Sequence, residues 1–158
     1  MDVYIGRHGV SPANDKDSPA FGSTKAPLLP VGEEQATAMG NEFTNEYSII
    51  PSATDVAVSE LTRAQQTARC AGFTKLCITP LLNEVTTQMS QEELYDCLTN
   101  KYVPRASIEA AKRLLITPPE QIVWVTHGLV IAGLCEVLGV SNDYRFIPRF
   151  CEIRQLTL

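Results

Sequence analysis

The chain has 158 residues, 44% of them hydrophobic and 20% charged. That is enough to bury one core without disulfides or a structural metal, and too ordinary a composition for a disordered or low-complexity protein. A net charge of −5, with 13 basic residues scattered along the sequence, excludes the broad cationic field that nucleic acid or an anionic membrane requires, yet leaves room for a small anion held by a few converging cations.

Five cysteines (Cys70, Cys77, Cys97, Cys135, Cys151) are an odd number with no Cys-x-x-Cys pair. They fit neither a disulfide framework nor a common zinc motif, so a reducing cytoplasmic setting is expected. No basic leader precedes the first strand, and the longest apolar stretch, 129–140, is interrupted by Glu136 and too short to span a bilayer.

In chain order, short β-rich runs alternate with helical patterns, the rhythm of an α/β sheet. A first strand is expected at 2–6, running into Arg7-His8-Gly9. Residues 10–31 then carry Pro12, Pro19, Pro27 and Pro30, too many breakers for a regular element, and read as a long loop directly after His8. Ala36, Met39, Phe43 and Tyr47 recur at helical spacing behind Gly32 and the acidic Glu33-Glu34. A strand at 55–59 leads to a helix bearing Leu61, Ala64, Ala68 and Ala71, which ends near Gly72. After a third strand at 75–78, the segment 79–104 holds only a short helix at Gln91 to Asn100. This region, extended to about 107, reads as a small cap over the sheet edge. Ile108, Ala111 and Leu115 mark a further helix, and a fourth strand at 121–126 ends in His127-Gly128. Residues 129–138 are apolar nearly all round and stop at Gly139, the pattern of a buried helix; a last strand is expected at 150–157. The whole chain, 1–158, thus reads as a single domain.

In open α/β sheets, ligands bind beyond the carboxyl ends of the strands. Arg7 and His8, Ser59 and Arg63, Glu84, and His127 follow four successive strands, so one rim receives two guanidiniums, two imidazoles and a carboxylate. Guanidiniums clamp tetrahedral oxyanions bidentately, and a protonated imidazole adds a further charge-assisted donor. The natural guest is a phosphoryl group. A zinc site is the weaker reading, because two histidines without cysteine or acid at ligand spacing make a poor ligand set beside Arg7.

Arg7-His8-Gly9-Val10-Ser11-Pro12-Ala13-Asn14 resembles the Arg-His-Gly-x-Ser/Thr-x-x-Asn opening of the histidine phosphatase superfamily, the phosphoglycerate-mutase-like proteins. Three more segments follow in that family's order. Pro27-Leu28 through Gly32 to Gln35-Ala36 is similar to its Pro-Leu-x-x-x-Gly-x-x-Gln-Ala run. Ser59-Glu60-Leu61-Thr62-Arg63-Ala64-Gln65-Gln66-Thr67-Ala68 is similar to Ser-x-Leu-x-Arg-Ala-x-Gln-Thr-Ala, and Thr126-His127-Gly128 to the late Ser/Thr-His-Gly. Four ordered blocks carry far more weight than any one of them.

The resemblance implies a three-layer sandwich with a mostly parallel central sheet and helices on both faces. It assigns His8 as the nucleophile that becomes phosphohistidine, Arg7, Arg63 and His127 as the phosphate pocket, and Asn14 as a further phosphate contact. Glu84 is the match to the family's proton donor, although neither glycine nor tryptophan follows it here, and Glu92, Glu93 or Asp96 are alternatives. Phe21-Gly22 resembles the substrate loop of the mutases. No metal or other cofactor is implied.

Two nearby guanidiniums are expected to keep His8 neutral, its other nitrogen oriented by a carbonyl near Gly9, while His127 is expected to be charged. The implied activity is metal-independent hydrolysis of phosphomonoesters. Alternatives are a protein phosphohistidine phosphatase of the short bacterial type, a phosphoglycerate mutase, and a non-enzymatic phosphate-binding pseudo-phosphatase. The partner would be a small phosphorylated substrate or a phosphoprotein, with no nucleic acid or membrane. Lys16, Lys25, Lys101 and Arg105 are candidate second anchors for an acidic substrate.

Overall fold

A computed structural model describes residues 1–140 and 146–158. Five strands form one sheet in the order β3-β2-β4-β1-β5: β1 (Asp2–Arg7), β2 (Asp55–Val58), β3 (Lys75–Ile78), β4 (Val123–Thr126) and β5 (Ile153–Thr157). All neighbours run parallel except β1 and β5, which are antiparallel. Helices α1 (Pro30–Tyr47) and α2 (Thr62–Cys70) cover one face; α4 (Arg105–Ile116) and α5 (Gly128–Val137) cover the other. The mostly parallel three-layer sandwich is therefore as expected. Among the described residues no helix is long and apolar enough to cross a membrane.

The layers follow from the strand pattern. Val3 and Ile5 of β1, Ala57 of β2 and Trp124 of β4 face α4 and α5, whereas Val56, Val58, Val123 and Val125 face α1 and α2. β4 is buried along its whole length because it lies centrally between two helical layers. Helix α5 buries eight successive residues from Gly128 to Cys135, which is why it is apolar nearly all round.

Several boundaries differ from expectation. β1 extends through Arg7, and α1 begins at Pro30, where a missing amide hydrogen costs nothing in a first helical turn. β4 starts at Val123, two residues late, and α5 spans 128–137. The last strand starts at Ile153 rather than 150, because Cys151 adopts φ 57, a left-handed conformation incompatible with a strand. Phe150 is thereby released from the sheet into a turn. The segment after β3 contains two short 3-10 turns and α3 (Gln91–Asn100), the one helix expected there.

Candidate active site

Parallel pairing of β1 and β4 sets Arg7 opposite Thr126, so the next residues, His8 and His127, emerge side by side. Their rings lie 5.0 Å apart, edge to face. Both are almost wholly buried. Arg63 enters from the first turn of α2, its Nε donating to His8 Nε2 at 3.3 Å and a terminal nitrogen to the Ser23 carbonyl at 2.9 Å. Arg7 donates to the Pro148 carbonyl at 2.7 Å and stacks on Phe150, 4.0 Å from the ring centre. Its buried Nε has no partner among the described residues. A buried guanidinium N–H without an acceptor is an unsatisfied charged donor, available to an anion.

The glycines after both histidines permit these approaches. A Cβ on Gly9 would come within 2.5 Å of the Gly32 carbonyl oxygen, and one on Gly128 within 2.6 Å of an Ile147 methyl and 3.2 Å of Arg7 Nε. Nothing larger fits at either place.

The two imidazoles are held in opposite tautomers. His8 Nδ1 lies 2.6 Å from the Gly9 carbonyl, which can only accept, so Nδ1 carries the proton and Nε2 keeps a lone pair. The Arg63 donor at Nε2 agrees with that assignment. Burial, and next the Arg63 charge, push the His8 pKa down to about 3, against the opposing pull of the Gly9 carbonyl. The expectation that the guanidiniums keep His8 neutral thus has the right sign, but desolvation is the larger cause.

For His127 the fixing runs through four residues. The Glu60 backbone N–H donates to Asn83 Oδ1, and Asn83 Nδ2 donates to the Glu60 carboxylate, which together orient the amide. Asn83 Oδ1 then accepts the Ser59 hydroxyl proton at 2.9 Å. With its only proton committed, Ser59 accepts from His127 Nε2 at 2.8 Å, leaving His127 Nδ1 bare, buried and without a partner among the described residues. Burial is the largest cause that holds His127 well below the usual imidazole range, and the Arg63 and Arg7 charges act in the same direction. The positive charge expected for His127 belongs to the phosphate-holding state; in the free protein desolvation and the neighbouring guanidiniums act against it.

Glu84, at the start of a 3-10 turn, lines a pocket with Arg7 and Arg63, whereas His8 and His127 are buried behind that lining and are not part of it. The Glu84 segment is pinned from two sides, by Thr126 Oγ1 donating to the Leu82 carbonyl at 2.6 Å and by the Asn83 contacts. Backbone N–H groups of Val85 and Leu129, and both arginines, favour the carboxylate, yet desolvation outweighs them and raises its pKa. A carboxyl group whose pKa is raised by burial beside two guanidiniums has the character of a general acid. Desolvation likewise pulls Arg7 down to about 10, which leaves it charged near neutrality.

The pocket, of about 390 Å³, brings together Arg7, Asn14, Phe21, Gly22, Arg63 and Glu84. Glu92, Glu93 and Asp96 lie on α3 away from its lining, as do Lys16, Lys25, Lys101 and Arg105 elsewhere in the chain.

Residues that the motifs contained but composition could not interpret hold the loop in place. Thr67 Oγ1 accepts from the Gly9 N–H, Gln35 from Val10 and Gln66 from Leu28. Asn83 and Phe150 were not singled out from sequence. The run Leu82-Asn83-Glu84 offered only proximity as a signal for the first, and the misplaced strand start hid the second.

A family-level sequence signature, described as histidine phosphatase superfamily (branch 1), matches residues 3–105. Comparison with curated protein sequences gives no match. Among solved structures, a phosphoglycerate mutase from Thermus thermophilus is 21% identical with a TM-score of 0.68, covering 99% of this chain and 92% of that one. A mycobacterial glucosyl-3-phosphoglycerate phosphatase, solved with VO3, is 19% identical with a TM-score of 0.64, covering 99% and 90%. A candidate alpha-ribazole-5'-P phosphatase from Escherichia coli is 22% identical with a TM-score of 0.60, covering 91% and 82%. At these identities the likeness is one of fold.

Proposed function

Because the chain belongs to branch 1 of the histidine phosphatase superfamily, we propose that it is a metal-independent phosphatase, hydrolysing phosphomonoesters through a phosphohistidine formed on His8. The observation that carries the reading is the wiring of His8: Nδ1–H is engaged by the Gly9 carbonyl, and Nε2 is left with a lone pair beside Arg63. A neutral, oriented imidazole is what in-line attack on phosphorus needs.

Phosphoryl transfer rests on positioning and charge neutralisation. The phosphate enters between Arg7, whose Nε awaits an acceptor, and Arg63, which exchanges its contact with His8 Nε2 for one with a phosphate oxygen. His127 Nδ1 takes up a proton and donates it to a second oxygen, since a bare lone pair there would repel the anion. His8 Nε2 forms the N–P bond as the P–O bond to the alcohol breaks, and Glu84 gives its proton to the leaving oxygen. The positive phosphoimidazolium is stabilised by the Gly9 carbonyl. In the second step the Glu84 carboxylate draws a proton from water, which attacks phosphorus and returns His8 and inorganic phosphate.

The raised pKa of Glu84 favours this reading over a phosphohistidine phosphatase, because expulsion of a phosphoramidate nitrogen needs an acid less than expulsion of an alkoxide does. The test is turnover of p-nitrophenyl phosphate with and without EDTA. Undiminished hydrolysis in EDTA is expected; loss on chelation, restored by added metal, would replace the mechanism with a metal-assisted one, and no turnover at all would favour a phosphate-binding module.

A further inference from the structure

Beyond the phosphate, the pocket changes character. Its outer wall is made by Phe21 of the first loop, Met89, Leu94 and Leu98 around α3, and Ile147 and Phe150 before β5. The polar groups between them, among them Thr86, Ser90 and Gln91, are uncharged. Among the described residues the only charged groups lining the pocket are Arg7, Arg63 and Glu84. The first two are those that take the phosphate, and burial disfavours the charged form of Glu84. Moving a carboxylate or a second phosphate from water to such a wall is unfavourable unless a cation meets it, and none among the described residues does: Lys16, Lys25, Lys101 and Arg105 all lie outside the lining.

Resting on the phosphatase reading, we infer that the substrate is a phosphomonoester whose alcohol is uncharged and largely apolar, an alkyl or aryl group lodged between Phe21, Leu94, Leu98 and Phe150. The apolar wall is continuous with the phosphate site, so its occupant is the remainder of the same molecule. Phe21 and Leu98 are 42% and 45% exposed; large apolar side chains facing an open pocket gain most by covering, and an apolar leaving group covers them. Phe150, in the lining, also stacks on the Arg7 guanidinium and lies 5.9 Å from the His8 ring, so it joins the apolar wall to the phosphate site. The same composition speaks against mutase action on phosphoglycerates, whose carboxylate would have no partner beyond the phosphate clamp among the described residues.

The experiment is a substrate series on the intact protein: ethyl, butyl and hexyl phosphate, p-nitrophenyl phosphate, and 3-phosphoglycerate, each with trapping of phosphate on His8. We expect kcat/KM to rise with chain length by up to about four-fold per methylene covered, the fold-change corresponding to about 0.8 kcal/mol, and 3-phosphoglycerate to fall at least a hundred-fold below hexyl phosphate. Leu98→Lys, at an exposed position, should lower hexyl phosphate turnover about ten-fold and narrow the gap to 3-phosphoglycerate. If p-nitrophenyl phosphate is turned over through phosphohistidine but the alkyl series is flat, or 3-phosphoglycerate is preferred, the substrate inference is wrong and the phosphatase reading stands. If no ester labels His8 or is hydrolysed, both fall together.

Discussion

The two His-Gly junctions look interchangeable in sequence and are wired in opposite senses in the fold. At the end of β1, a backbone carbonyl one residue away fixes His8 through Nδ1 and bares Nε2. At the end of β4, a serine fixed by Asn83, itself fixed by Glu60, holds His127 through Nε2 and bares Nδ1. The first arrangement is local and leaves a lone pair on Nε2; the second is assembled from three chain segments and leaves an acceptor that must gain a proton before it can hold an anion. The lesson is that a histidine's function is set by what its other nitrogen touches.

The strongest way to break the comparison is to remove one imidazole at a time. His8→Ala should reduce turnover to background, a loss on the order of 10⁴-fold or more, with far-UV circular dichroism unchanged. A variant that keeps appreciable activity would assign the nucleophile elsewhere.

Glu84→Gln should cost roughly 10²- to 10⁴-fold on alkyl phosphates and little on p-nitrophenyl phosphate, whose leaving group needs no proton. Its pH signature has a definite sign. The raised pKa of Glu84 means that wild-type kcat/KM on alkyl phosphates declines as pH rises through that value, because the acid is lost. In Glu84→Gln that alkaline limb should vanish. His8, with its pKa down at about 3, should add no acid limb above about pH 4; an acid limb near pH 6.5 that disappears with a change at His8 would contradict the assigned state.

For His127→Gln we expect a loss on the order of 10²- to 10³-fold, comparable to removing an oxyanion donor. Sulfate separates its role further, being dianionic at every relevant pH. The pKa of His127 is depressed in the free protein and rises when an anion binds, so sulfate should inhibit more strongly as pH falls, with proton uptake visible by calorimetry in buffers of different ionisation enthalpy. His127→Gln should flatten that dependence.

Asn83→Ala should have the smallest effect, about ten-fold or less, because it only frees the Ser59 hydroxyl to compete for the His127 tautomer. Its mark is a weakened pH dependence of sulfate inhibition. An unchanged dependence would show that Asn83 merely packs.

Much of this was legible in the sequence because it obeys local rules. Apolar strands followed by His-Gly, and helices with three- and four-residue spacing, are periodic signals, and the layering of the fold followed from them. The carbonyl expected for His8 could be anticipated since it lies one residue along the chain. The wiring of His127 could not, because Glu60, Asn83 and Ser59 meet it only when β2 and β4 pair and the segment after β3 folds back. The depressed pKa of His127 in the free protein is illegible in the sequence for a related reason: burial is a property of the packed protein, and motif chemistry describes the liganded state. The left-handed turn at Cys151 hid Phe150 inside an apparent strand, and with it the cation-stacking partner of Arg7.

The central claim is a covalent one, and labelling tests it most directly. Wild-type protein mixed rapidly with a ³²P-labelled phosphomonoester, quenched in alkali and mapped by peptide should carry phosphate on the His8 peptide and none on the His127 peptide. Steady turnover with no labelled histidine, or label on His127, would contradict the account.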